Sequence, residues 1–113
     1  MKVNGRNLQM VRGDSEAITV KVTNKAGELM PLVPGDTVYF TVKDSAYTEV
    51  KLLQVVVTEF EEGVALITIR PEDTKQLPFR EYVYDVQVTF ENGAVKTVIP
   101  KSSFVVAEEV TYD

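Results

Sequence analysis

Apolar residues recur at every second position through most of this chain. Ile18, Val20 and Val22 alternate with Thr19, Lys21 and Thr23. Val38, Phe40 and Val42 do the same across residues 37–43, and Ala65, Ile67 and Ile69 across residues 64–70. Successive side chains of a β-strand point to opposite faces, so period two predicts strands with one buried face. The longest such run places Tyr82, Tyr84, Val86, Val88 and Phe90 on one side. Glu81, Asp85, Gln87, Thr89 and Glu91 lie opposite, with Val83 the apolar exception. Asn92-Gly93 follows, and then a second run over residues 94–99. A two-residue Asn-Gly loop with φ > 0 at both positions matches the twist of paired strands, so a long antiparallel hairpin is predicted. Leu8 and Met10 begin a further strand near the start of the chain.

Turn signals separate these runs. Gly13-Asp14 is one, and residues 24–28 form another on Asn24 and Gly27. Pro34-Gly35 fits the central positions of a type II turn, because Pro fixes φ near −65° and Gly supplies the positive φ. Glu61-Glu62-Gly63 makes a fourth. The one helical stretch is residues 71–77: Pro71 suits a first helical position, Glu72 and Asp73 favour the positive end of a helix dipole, and Pro78 stops it. Leu77 is expected to plug the end of the fold there. Tyr82, at the head of the longest strand, is expected to donate its hydroxyl to backbone near residues 73–77, as in a tyrosine corner. Pro100 interrupts the second hairpin strand and predicts an edge or a bulge, after which Phe104 and Val106 resume strand character. Residues 108–113 read as a polar tail.

Residues 51–60 break the pattern by being apolar on both faces. Leu53, Val55 and Val57 share one face, and Leu52 and Val56 the other. Either a β-bulge switches faces within the run, or a neighbouring element or subunit covers the outer side.

Seven to nine short strands at such spacing predict an all-β chain, an immunoglobulin-like antiparallel β-sandwich. Residues 1–113 are read as a single domain. The expected core is Ile18, Val20, Val22, Val38, Phe40, Val42, Ile67, Ile69, Tyr84, Val86 and Val88. Because the chain has no Cys and no Trp, the likeness to immunoglobulins is one of architecture only.

Composition narrows the chemistry further. Without Cys or His, the chain has no thiolate zinc site, no Cys nucleophile and no imidazole base. No cofactor or metal is expected, and no catalytic activity. The net charge of −5 argues against a nucleic-acid partner, which calls for clustered Lys and Arg. No apolar run approaches the ~20 residues of a membrane helix. The first residues are too polar for a signal peptide, so none is expected and no membrane insertion either.

The remaining motifs have ordinary structural readings. Arg12-Gly13-Asp14-Ser15 spells an integrin-binding tetrapeptide, yet Gly-Asp is also what a strand-connecting turn uses. The acidic pairs Glu61-Glu62, Glu72-Asp73 and Glu108-Glu109 fall at turns or in the tail, not across a cleft. Asp14, Asp36 and Asp44 are loop oxygens without the alternating spacing of a calcium loop. Ser45, Ser102 and Ser103 lack an activating His; Lys101 beside Ser102 would have to be buried to act as a base. Tyr39, Tyr47 and Tyr112 are aromatic surfaces for a sugar or a protein where they are exposed.

Several of these pieces together resemble small immunoglobulin-like β-sandwich proteins of phages and prophages of Gram-positive bacteria. They resemble above all the N-terminal domain of phage baseplate upper proteins. The matching pieces are Gly13-Asp14, Gly35-Asp36-Thr37, Pro71-Glu72-Asp73-Thr74 with Leu77, Tyr82-Val83-Tyr84-Asp85, and Asn92-Gly93 with Val95. They span most of residues 13–106. The resemblance implies a non-catalytic structural module of a phage particle, a tail or baseplate component made in the host cytoplasm. The chain would be a free-standing virion protein or an excised domain. Its partners would be other virion proteins or copies of itself, with Leu52, Val56, Val110 and Tyr112 as the expected contact residues. The alternative is a carbohydrate-binding module for bacterial surface glycans, using an aromatic sheet face.

Overall fold

A computed structural model describes residues 1–108. They form eight strands and one helical turn: β1 (Lys2–Asn4), β2 (Asn7–Val11), β3 (Glu16–Val20), β4 (Thr37–Lys43), β5 (Leu53–Val57), β6 (Ala65–Ile69), α1 (Pro71–Thr74), β7 (Arg80–Thr89) and β8 (Val95–Ala107). Six strands make one sheet in the order β1-β2-β8-β7-β4-β5, and β3 and β6 make a second sheet. The fold is therefore all-β and sandwich-like. One core cluster joins the two sheets, with Val38, Phe40, Val42, Tyr84, Val86 and Val88 on one side and Val20, Ile67 and Ile69 on the other.

Period two does what it predicts here. In β4 and β7 the apolar set is buried and the intervening residues are mostly half-buried on the outer face. Phe40, Tyr84 and Phe104 pack as an aromatic triad, with ring centroids 5.3 to 6.3 Å apart and tilted or edge-on contacts. Such contacts set the electron-poor ring edge against the electron-rich face. Leu8, Met10, Tyr82, Phe104 and Val106 also belong to the core, contributed by β2, β7 and β8. Ile18, expected in the core, is only partly buried against it, because the two-stranded sheet covers less than the six-stranded sheet offers.

Leu77 is buried beside α1, as a plug should be. The Tyr82 hydroxyl donates to the Pro78 carbonyl at 2.7 Å. The corner bond thus forms as expected, with Pro78, the residue that follows 73–77, as its acceptor. The ring of Tyr82 is fully buried, and its hydroxyl meets a carbonyl four residues back in the chain. Tyr82→Phe is expected to cost about 1 kcal/mol or somewhat more, since it strips a partly buried acceptor of its donor. Equilibrium urea unfolding measures this, and no change in midpoint would dismiss the bond as a stabilising element.

The structure corrects four further expectations. The Asn92-Gly93 hairpin is present, but only Gly93 has positive φ, at 89°. Gly93 N–H donates to Phe90 O and Phe90 N–H to Ala94 O, both at 2.8 Å. The connection is a three-residue loop, Glu91-Asn92-Gly93, in which a tight turn is followed by a left-handed glycine. Asn92 contributes instead by accepting the Ala94 N–H on its side-chain oxygen at 2.9 Å. Pro100 does not split the second hairpin strand, because β8 runs through it. The register with β7 shifts twice, between Tyr84↔Ser102 and Val86↔Ile99 and again between Val86↔Ile99 and Gln87↔Thr97. The first extra β8 residue falls at Pro100-Lys101, so the irregularity expected at Pro100 is present where a missing N–H is harmless. The sandwich is not wholly antiparallel either: β2 pairs with β8 in parallel. Finally, β5 is a regular strand, and Leu52 precedes it and packs partly against the core. Leu52 and Val56 therefore do not share an exposed face; only Val56, 49% exposed, faces out.

Candidate functional site

The sequence motifs with possible chemistry are used up by the fold. The N–H of Gly13 donates to Thr74 Oγ1 at 2.8 Å, and Arg12 lies over the Phe79 ring at 4.1 Å. Arg12-Gly13-Asp14 thus bridges the β2–β3 turn to the segment after α1 instead of projecting as a recognition loop. Asp36 is buried, and its two carboxylate oxygens accept the N–H groups of Val33 and Glu91 at 2.9 and 3.0 Å. Asp44 pairs with Arg80 at 3.1 Å on the surface. No group of three or more His, Cys, Asp or Glu side chains suited to a metal ion occurs among the described residues. Ser102 donates to the Pro100 carbonyl at 2.8 Å, and Ser45 accepts the Tyr47 N–H at 3.3 Å. Glu61 and Glu62 lie in the turn before β6, and Glu72 pairs with Arg70 at 3.4 Å. Of the expected contact residues, Leu52 and Val56 are placed as described above. Val110 and Tyr112 lie outside the described residues.

What the fold assembles instead is a groove of about 500 Å³ on the outer face of the six-stranded sheet. Period two puts Tyr39, Thr41 and Lys43 of β4 there, along with Val83, Asp85 and Gln87 of β7. Register then lays these residues in rows across the sheet. Gln54, Thr41 and Asp85 form one row, and Val56, Tyr39 and Gln87 the next. Gln54 Nε2 donates to Thr41 Oγ1 at 3.1 Å, and Gln87 Nε2 to Thr97 Oγ1 at 3.4 Å. Lys101, brought round by the β8 bulge opposite Asp85, closes one side, and Lys51 and Ala46 line another.

The electrostatics of the groove are uneven. Burial pushes the Asp85 carboxyl up from the usual carboxylate range, and the nearby charge of Lys43 offsets part of this. Three lysines line the groove against this one aspartate, although the chain as a whole carries −5. Lys51 and Lys101 have no ion-pair partner among the described residues. The hydroxyl of Tyr39 is likewise without a hydrogen-bond partner there. Tyr47, next to Ala46 on the β4–β5 loop, is 96% exposed.

A second cleft lies between the end of β3 and β8. Among the described residues the outer edge of β3 pairs with no strand, and the cleft beside it is lined by Lys21, Val22, Lys96, Val98 and Ile99. Val98 and Ile99 are only partly buried. Lys96 Nζ donates to the Thr23 carbonyl at 3.4 Å across this cleft.

Neither site was singled out in the sequence, although Tyr39 and Lys101 were noted singly, because each site is built from residues that only strand register brings together. No helix among the described residues is long and apolar enough to cross a membrane. Among known proteins, no family model matches the chain and no curated protein is significantly similar to it.

Proposed function

We propose that this chain is a non-catalytic, protein-binding module of a phage or prophage particle, a tail or baseplate component acting through assembly contacts. The likeness of its turns and strand heads to phage sandwich proteins supports the particle assignment. The observation that carries the assembly mechanism is the incomplete second sheet. Two strands face six, and among the described residues the outer edge of β3 pairs with no strand, which leaves its backbone donors and acceptors to a partner beside the half-covered side chains Val98 and Ile99. An extended segment of a neighbouring subunit adds to such an edge with main-chain hydrogen bonds and buries the apolar floor. Val56, exposed on the edge strand β5, offers a second contact.

Analytical ultracentrifugation tests this. The parent is expected to sediment as a dimer or larger at high concentration, and Val98→Lys as a folded monomer, because an ammonium cannot be buried unpaired in the joint. Val56→Lys separates the two edges: it leaves assembly intact if the β3 side dominates. A parent that stays monomeric at every concentration, with both variants equally well folded, removes self-assembly as the mechanism.

A further inference from the structure

We propose that the groove on the outer face of the six-stranded sheet is a binding site for a negatively charged saccharide. The inference stands apart from the assembly reading at the β3 edge; of the contacts named there only Val56 lies near the groove, in the row of Tyr39 and Gln87.

Four features of the groove point to this ligand. Its volume of about 500 Å³ lies within the ~300–1,000 Å³ usual for ligand sites. The half-buried face of Tyr39 offers an aromatic platform, and the electron-rich face of an aromatic ring attracts the polarised C–H groups on one side of a pyranose. Beside it Gln54, Thr41 and Asp85 make a row of donors and acceptors and Gln87 adds one more in the row of Tyr39, with Gln54 bonded to Thr41 and Gln87 to Thr97. Such an array matches the spaced hydroxyls of a sugar, each of which donates and accepts. The carboxylate of Asp85 makes no hydrogen bond among the described residues, so it is left to accept from ligand hydroxyls. A bond to a charged acceptor is the stronger kind.

The charge of the ligand follows from the lysines. Lys51 and Lys101 flank the groove without carboxylate partners among the described residues, in a chain rich in acidic residues. Ammonium groups so placed around a hydroxyl-binding centre suit a saccharide with carboxylate or phosphate substituents outside the sugar ring that sits on Tyr39. A nucleic acid is a poorer fit, since the surface as a whole repels a continuous phosphate backbone.

The experiment is an NMR titration of the whole ¹⁵N-labelled chain with an oligouronate hexasaccharide, a neutral glucan hexasaccharide and inorganic phosphate. The oligouronate is expected to shift amides of Tyr39, Thr41, Asp85 and Gln87, with the neutral glucan weaker and phosphate alone without effect there. Tyr39→Ala and Lys101→Glu should each weaken oligouronate binding roughly tenfold. Both positions are on the outer face, so the fold should survive, and an unchanged spectrum of core amides checks that it does. Raising salt should weaken binding to the parent more than to Lys101→Glu. Three results overturn the proposal: no saccharide moves these amides, phosphate moves them as strongly as the oligouronate, or Tyr39→Ala binds as the parent does. Preference for the neutral glucan would overturn the assignment of charge.

Discussion

Phe40→Ala should destabilise the chain by about 3–5 kcal/mol, the range for truncating a buried Phe. Phe40 is fully buried at the middle of β4, and its ring meets both Tyr84 and Phe104. Truncation removes its own burial and opens a cavity between three strands of one sheet. Neighbours fixed on β7 and β8 by strand pairing have little room to collapse into it. Domains of this size are stable by only ~5–15 kcal/mol, so the variant should lose a large part of its margin. Urea unfolding followed by tyrosine fluorescence gives the number. A loss below about 1 kcal/mol would mean that the side chain is not in the core at all.

Asp36→Ala should be the most damaging substitution of a polar residue, at about 2–3 kcal/mol. Its carboxylate accepts the Val33 N–H across the Pro34-Gly35 turn and the Glu91 N–H at the tip of the β7–β8 hairpin. One side chain thus ties two loops that are 55 residues apart. Both bonds have an ionised acceptor, and losing them leaves two amides without that partner. The junction is tight: Gly35 has φ of 101°, and a Cβ there would meet Glu91 Cγ at 2.9 Å. Asp36→Asn should recover part of the loss, because its carbonyl oxygen still accepts while its amide nitrogen cannot. A cost for Asp36→Ala within ~0.5 kcal/mol, as for ordinary surface changes, would show that the two loops hold together without it.

These two residues mark the boundary between what could be read along the chain and what could not. Phe40 was assigned to the core from alternation alone, as were Val38, Val42, Ile67, Ile69, Tyr84, Val86 and Val88. Period two is a local property and the pleat converts it directly into faces. Asp36 read as a turn residue and a loop oxygen; its tie to Glu91 depends on a hairpin tip far along the chain. The same holds for the two clefts. Tyr39 was recognised as an outward aromatic, but nothing local tells that Gln54, Asp85, Gln87 and Lys101 stand beside it. No signal short of the register of β4 with β5 and β7 would have gathered them.

Alternation and turn chemistry by themselves determined that the chain is all-β, where most strands run, which faces are buried, and that a hairpin forms around Gly93. The absence of Cys and His by itself removed thiol, imidazole and zinc-thiolate chemistry. Tertiary structure alone decided that six strands face two, that β2 joins β8 in parallel, that Leu52 turns toward the core, and that Tyr82 chooses Pro78. It alone decided that a lysine-rimmed groove forms in a chain of net negative charge. The physical reason is range: dihedral preference and pleat act over a few residues, whereas strand order, register and bulges are settled by packing between segments far apart in the chain.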